Sequence, residues 1–439
     1  MKGEIVSAPT GLERHVVFAA FLGWTLDAFD FFILIFVLRD VARSYSTSLT
    51  TLTLAITLTL AMRPVGALLF GRLADRYGRR PVLVIDVLCF AGLEFLSGFA
   101  PNLLTFLILR ALFGIAMGGE WGIGASLAME TVPARWRGWV SGLLQSGYPA
   151  GYFVASAVFG VFYPLVGWRG MFMIGGLSAL LVLYVRRSVP ESPDWLARRA
   201  APRPAFRRVF RNHLRLLLWA VVMMTAFNFF SHGTQDLYPS AFLGRQLHFS
   251  HGTITTIALI YSAGAIIGGI VFGALSQRIG RRAAIVSASL LALPVLPLWA
   301  FSRSPLTLAI GAFLMQVCVQ GAWGVIPAHL NELSPPDLRA TFPGVVYQLG
   351  NLLASSNATL QAAIGRHMHQ NYSWALASVA GGAALLIAVL VGLGSEARGV
   401  HMRGEPGERP SAQAVEEGED VVQVLAKGSD RTGGHAESD

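Results

Sequence analysis

GRLADRYGRR at residues 71–80 and GALSQRIGRR at residues 273–282 are two copies of one pattern, with Gly, Leu, Arg, Gly and a closing Arg pair in the same places. The second copy lies 202 residues after the first. The same displacement relates Glu130, Pro133 and Arg137 to Glu332, Pro335 and Arg339, Trp121 to Trp323, and Gly142 to Gly344. A period this long, met at four separate places, marks a duplicated structural unit rather than a short motif recurring by chance. Each copy is a charged interlude between long apolar runs, so the unit reads as a set of membrane crossings joined by polar loops.

Composition agrees. Of 439 residues, 54% are hydrophobic and 13% charged, which is more apolar than a water-facing surface tolerates. Twelve spans are expected, near 16–38, 51–71, 81–100, 104–128, 138–163, 168–187, 213–240, 252–275, 283–301, 305–330, 340–364 and 373–396. The arginines concentrate in the loops on the side of the N-terminus, while the opposite loops hold only Arg39, Arg43, Arg169, Arg245, Arg303 and Arg366. By the positive-inside rule both termini are expected in the cytoplasm, with the chain in the plasma (cell inner) membrane. The net charge of +9 would suit nucleic acid, but the basic residues sit where topology requires them, so nucleic acid is set aside as a partner. Cys89 and Cys318 both fall inside spans, which leaves no disulfide framework and no metal cluster. Residues 1–15 read as a cytoplasmic N-terminus without a cleavable signal, the first span directing insertion.

The repeat divides the chain into six spans at 16–187 and six at 213–396. Between them, 188–212 is a basic cytoplasmic linker holding Arg198, Arg199, Arg203, Arg207, Arg208 and Arg211. Residues 397–439 hold nine acids and five bases among Gly, Pro and Ser, and are expected to be a disordered cytoplasmic tail. The pattern at 71–80 resembles the signature between the second and third helices of the major facilitator superfamily, and the Glu-Pro-Arg motif resembles its sugar-porter-like branches. The resemblance covers 16–396 and implies an all-α membrane protein of two six-helix bundles with a cleft between them. It also implies an ion-pair lattice at the cytoplasmic rim that holds the outward-facing state. Carried over, Asp75, Arg79, Glu130 and Arg137 would form it in one half, with Arg282, Glu332 and Arg339 in the other. Gln277 stands where the second copy lacks the acid, so that arm is expected to be weaker or differently paired. The competing view is that these arginines only anchor loops, but anchoring needs neither Glu130 nor Glu332.

A charge at mid-bilayer costs roughly 2.5–3.5 kcal/mol on insertion scales, so each one needs a partner, a water cavity or a function. Asp27 and Asp30, three residues apart in the first span, share a face, and Arg63 in the second span lies at comparable depth. Two carboxylates on one face repel, so at least one is expected to hold a proton unless Arg63 stabilises both anions. Three arrangements stay open: proton-carrier chemistry, a static Asp–Arg pair, or one aspartate paired with Arg63 while the other titrates. Glu94 and Arg110 match in depth and read as a structural pair. Glu120 lacks a partner on its own helix, and reads either as a second titrating site or as a hydrogen-bonding residue between helices. Gly114, Gly118 and Gly122 form a small-residue packing stripe.

The seventh span carries Asn228-Phe-Phe-Ser231-His232-Gly-Thr234-Gln235-Asp236-Leu-Tyr238-Pro239-Ser240. Asn228, His232 and Asp236 follow i, i+4, i+8 and make one polar stripe, with Ser231 and Gln235 beside it. In a membrane such a stripe must face a cavity. Gly233 and Pro239 add local weakness, as where a helix bends at a binding site. The motif resembles the signature of proton-coupled monocarboxylate permeases of the lactate/pyruvate type, within the sialate:proton symporter group, with Ser240 where that family usually has Thr. Gln348 and Asn351 share a face of the eleventh span, and the resemblance implies that they line the substrate path; Tyr148 and Gln145 in the fifth are further candidates.

The expected function is proton-coupled symport of a short monocarboxylate. Arg63 would anchor the carboxylate, with Asn228, Ser231, Thr234, Gln235, Gln348, Asn351 and Tyr148 as neutral partners. Asp27, Asp30, His232, Asp236 and Glu120 would carry or couple protons. Sialic acid or another organic anion is the alternative substrate, and a carboxylate sensor of transporter-like build the remote one. No nucleophile–base pairing or metal-ligand set appears, so neither an enzymatic reaction nor a cofactor is expected. The partners are a small organic anion, protons and membrane lipid, and a monomer suffices.

Overall fold

The computed structural model describes residues 11–200, 206–400 and 402. The far N-terminus, part of the linker with Arg203 and nearly all of the acidic tail lie outside them. Sixteen α-helices follow in chain order: α1 (Gly11–Ser44), α2 (Leu49–Tyr77), α3 (Arg79–Ser97), α4 (Leu103–Thr131), α5 (Arg137–Gln145), α6 (Gly147–Gly175), α7 (Leu180–Ser188), α8 (Pro193–Arg198), α9 (Phe206–Asn212), α10 (Leu214–Gln235), α11 (His251–Ile279), α12 (Arg281–Ala300), α13 (Pro305–Leu333), α14 (Thr341–Ala354), α15 (Asn357–His367) and α16 (Tyr372–Gly392).

These make twelve crossings. Among the described residues, nine helical stretches are long and apolar enough to span a membrane. One of them, Ala134–Ser188, is two crossings, because Gly167 breaks the helix at φ 62°, ψ −173°. The other two are less evident by hydropathy. α3 carries Arg79, Arg80, Asp86 and Glu94 within 19 residues, and α14 with α15 is interrupted at Ser355–Ser356. The seventh crossing is α10, which stops at Gln235 and continues as a wide turn of helix over Tyr238–Gln246.

The duplication reaches the ends of the elements. α2 and α11 are each 29 residues long, as are α4 and α13, and each second member lies 202 residues along. Ser48 Oγ accepts from Thr51 N at 2.9 Å to cap α2, and its counterpart Ser250 Oγ accepts from Thr253 N at 3.2 Å to cap α11. Both helices end on a glycine in the region closed to other residues, Gly78 at φ 111° and Gly280 at φ 99°. Those two glycines set the tight reversal into α3 and α12.

The bundles meet at the end where these reversals lie. α2 crosses α14, and α5 crosses α11, at glycine contacts. A Cβ on Gly71 would fall 2.7 Å from the Thr341 Cα, and one on Gly273 would fall 2.9 Å from the Gly142 Cα. Asp75 reaches over the interface and accepts from Ala340 N (2.9 Å), Thr341 N (3.1 Å) and Thr341 Oγ1 (2.6 Å). It thereby caps α14 with a negative charge at the positive end of that helix. Gln277, its counterpart, accepts from Gly138 N at 3.1 Å and donates to Ala134 O at 2.9 Å, so the second arm is paired without a charge.

Candidate functional site

Above this closed end the bundles part around a cavity of about 450 Å³. Its floor is aromatic and drawn from both halves. Tyr347 lies 4.7 Å from Trp121, 5.5 Å from Trp323 and 6.2 Å from Trp24 between ring centroids. Tyr148 and Phe32 pack on the same side, 5.4 Å apart. Along each crossing the lining continues away from the closed end, to Ile35 on α1, Asp236 beyond α10 and Ser355 beyond α14.

Arg63 lines this cavity although it is only 3% exposed. Its depth is set by glycine packing. Gly114 and Gly118 of α4 let the α2 backbone approach at Thr59 and Arg63, where a Cβ on Gly118 would lie 2.8 Å from the Arg63 Cα. Pro64 inside α2 has no N–H to give the Leu60 carbonyl, which loosens the helix beside the site. Among the described residues the Arg63 guanidinium pairs with one carboxylate, Asp27, at 3.6 Å, and its Nε and Nη2 have no hydrogen-bond partner. A buried guanidinium with unfilled donors can take an anion.

The opposite wall is the polar stripe of α10 with α14. Asn228, Ser231, His232, Gln235 and Asp236 line the cavity. His232 bridges the two elements through Nδ1 to Asp236 Oδ1 (3.1 Å) and Nε2 to Asn351 Oδ1 (3.2 Å). Gln235 donates to Ser231 Oγ at 3.0 Å, and Asn228 Nδ2 returns to the Met224 carbonyl at 2.8 Å. Two expected members fall elsewhere. Thr234 is buried and bonds the Phe230 and Ser231 carbonyls while accepting from Gln316 Nε2. Gln348 is 1% exposed, has neither amide atom hydrogen-bonded and is not in the lining; Asn351, one turn on, is. Gly233 is a packing notch, since a Cβ there would meet Val379 Cγ1 at 2.9 Å, and the helix gives way after Gln235 instead. Gln145 and Tyr148 line the cavity as expected, and Gln316, Trp24 and Trp323 join them without having been singled out.

Asp27 and Asp30 do not work on one site. Asp30 points away from the cavity, toward the buried Glu94–Arg110 pair, whose charged atoms are 2.8 Å apart. Arg110 is further enclosed by the Phe113 ring at 4.4 Å and the Phe172 ring at 5.1 Å. Glu120 is buried behind α1 against Gly23, with Asp27 and Arg63 as charged neighbours and both oxygens unpartnered. Asp86 of α3, which was not among the expected site residues, joins this group. It is fully buried, both oxygens lack a partner, and Glu120 and Asp27 are the charges that act on it.

At the closed end, Arg79 makes a two-pronged bond to Glu130 (Nε 3.1 Å, Nη2 2.9 Å) and a 3.3 Å contact to Asp75. In the second half the residue in this position is Arg281, bonded to Glu332 at 2.8 and 3.0 Å. Arg282, expected there, turns outward and donates to the Val391 and Gly392 carbonyls at the end of α16. Strict alignment of the copies pairs Arg79 with Arg281, and neighbouring side chains on a helix leave by different faces. Arg137 crosses to Glu332 at 3.8 Å. Arg339 is instead engaged by Asp194 of the linker at 2.8 Å, and Ser192 of the linker donates to Glu130. Glu191 caps α3 through Arg79 N (2.9 Å) and Arg80 N (3.2 Å), as Glu396 caps α12 through Arg281 N and Arg282 N. Burial pushes the Glu191 carboxyl up from its usual value, against the pull of these backbone N–H groups. The start of the linker, at residues 191–194, is thus docked on the rim rather than only a basic connector.

A family model described as Major Facilitator Superfamily matches residues 20–235 and 237–427. The sialic acid transporter NanX of Escherichia coli (strain K12) is 28% identical over 382 residues, which is 86% of this chain and 93% of that one. The carboxylic acid transporter protein homolog of Saccharomyces cerevisiae is 28% identical over 374 residues, 78% of this chain, and the match spans 60% of that longer protein. Among solved structures, the proton:xylose symporter XylE superposes with a TM-score of 0.70 at 17% identity, covering 88% of this chain and 97% of that one.

Proposed function

The chain belongs to the major facilitator superfamily, and on that premise we propose that it is a proton-coupled symporter of an organic anion, with short monocarboxylates of the lactate and pyruvate type as its substrate class. One observation carries the reading: Arg63, in the wall of the cavity between the halves, has Asp27 as its one ion-pair partner among the described residues. A substrate carboxylate competes for that guanidinium. When it wins, Asp27 is left as a buried anion, and a proton is the cheapest way to relieve it. Binding of one monoanion thereby takes up one proton, and the loaded site carries no added charge. His232, Asp236 and Asn351 tie α10 to α14 on the facing wall, where the same substrate meets Gln235 and Asn228.

With both termini in the cytoplasm of a cell whose plasma membrane holds the chain, the closed end faces inward and the cavity opens outward. The rim network of Asp75, Arg79, Glu130, Arg137, Arg281, Glu332 and Arg339 then stabilises this outward-facing state. A larger acid such as sialic acid is a second reading, favoured by a cavity of about 450 Å³, which is roomy for a three-carbon acid. Uptake of labelled lactate, pyruvate, acetate and sialate into proteoliposomes tests both. The expected result is accumulation driven by an inward proton gradient with sodium absent. Uptake that collapses without sodium and ignores a pH gradient overturns the coupling.

A further inference from the structure

Behind α1, three carboxylates share the interior of the first bundle with one guanidinium. Asp27, Glu120 and Asp86 are 0%, 1% and 0% exposed, and Arg63 is the cation among the charges acting on them. Among the described residues, none hydrogen-bonds to either oxygen of Glu120 or Asp86. One positive charge balances one anion, and two further bare carboxylates in a low-dielectric interior would each cost several kcal/mol, on the order of the penalty for a buried ion. A state in which two of the three hold protons avoids that cost.

Independent packing evidence says the space is made for them. A Cβ on Gly23 would collide with Glu120 Oε1, and one on Gly124 would lie 3.3 Å from it. A Cβ on Gly119 would lie 2.9 Å from Asp86 Oδ1. Each unpartnered carboxyl thus sits in a notch left by a glycine of a neighbouring helix or turn, although nothing bonds it there. The groups also descend in order. Asp27 is sixteen residues from the closed-end start of α1, Glu120 eleven from the closed-end finish of α4, and Asp86 seven from the closed-end start of α3.

We infer that Glu120 and Asp86 form an internal proton relay, linking Asp27, the buried partner of Arg63 in the cavity wall, to the closed end of the bundle, with Asp86 as its last station. The inference rests on the symport reading above. In each step a proton leaves one carboxyl oxygen for the carboxylate of the next group, and the negative charge moves the opposite way. No other reactant is needed. The substrate leaves through the cleft between the halves, so its proton has a separate path through the first bundle. The charged and titratable groups facing Asp86 are Glu120 of α4 and Asp27 of α1, with the Cys89 thiol one turn along α3.

Asp86→Asn tests this with two readouts on the full chain in proteoliposomes. Labelled-lactate counterflow, which needs no net proton movement, is expected to persist, while accumulation driven by a pH gradient is lost. In the infrared spectrum the carbonyl band of the protonated Asp86 carboxyl is expected to disappear. Should the amide fail to fold, Asp86→Glu keeps the carboxyl, and its band is expected to shift rather than vanish. Accumulation by Asp86→Asn equal to wild type, or an unchanged carboxyl band, overturns the relay. Wild-type uptake that ignores the pH gradient overturns the symport reading instead, and the infrared arm still decides whether Asp86 holds a proton.

Discussion

Arg63 bears on more of the account than any other residue. Truncating one side of a buried charged contact costs ~2–5 kcal/mol, so Arg63→Gln is expected to lose that much anion affinity. Arg63→Lys keeps the charge without the two-pronged fork and is expected to bind weakly. Isothermal titration of the purified variants reads both. The pair with Asp27 supplies a sharper control: Arg63→Gln with Asp27→Asn removes both charges and is expected to fold yet not transport. Recovered transport in that double variant would show a static pair and no anchor. Arg63 and Asp27 were legible in the sequence because a charge in an apolar run demands an explanation. Asp30 was legible as a charge but not in its direction, since three-residue spacing puts two side chains on one face without saying which neighbour each meets. Here Asp30 turns to the Glu94–Arg110 pair. Asp86 falls under the same rule, since it lies inside the expected span 81–100, but it was not among the expected site residues, and its burial depends on α4 packing over it.

At the scale of elements, α10 and the α2–α3 reversal illustrate what periodicity can and cannot supply. The i, i+4, i+8 stripe of α10 identifies a cavity face, and Asn228, His232 and Asp236 all reach the cavity. For α14 the same kind of spacing joined Gln348 to Asn351, but the helix is rotated so that Asn351 alone opens to it. Rotation is fixed by packing against other helices, which one helix's own sequence does not contain. The reversal motifs state their own logic once the interface is seen: a glycine for the turn, an arginine for the neighbouring glutamate, and Asp75 or Gln277 to cap the helix across the divide. Because these contacts tie conformations together rather than touch the cavity, Arg79→Ala and Glu130→Ala are expected to slow turnover far more than they weaken binding. Arg281→Ala is expected to behave alike, and Arg282→Ala to have the milder effect. Substrate binding to detergent-purified variants, set beside vesicle transport rates, checks this. Complete loss of binding in a folded Arg79→Ala protein would count against the assignment.

For the whole molecule, the fold was readable almost throughout, because a 202-residue repeat and apolar runs of bilayer length leave few alternatives. The twelve crossings coincide with the expected spans, though α3 and the α14–α15 pair are less evident by hydropathy; the break at Gly167 falls between two expected spans, whereas that at Ser355–Ser356 falls inside one, 340–364. The docked linker was not readable, since Glu191, Ser192 and Asp194 act on partners more than 60 residues away in the chain. What the two-bundle plan adds to the site is competition: the halves close over a cavity in which substrate and Asp27 both seek one guanidinium. That claim is tested most directly by the affinity of the purified protein for its organic anion as a function of pH, wild type beside Asp27→Asn. Since binding takes up the proton that Asp27 needs once Arg63 is engaged, wild-type affinity is expected to fall as pH rises, and the Asp27→Asn curve to be flat. A wild-type affinity that does not change with pH, or an Asp27→Asn protein that keeps the wild-type slope, would contradict the account.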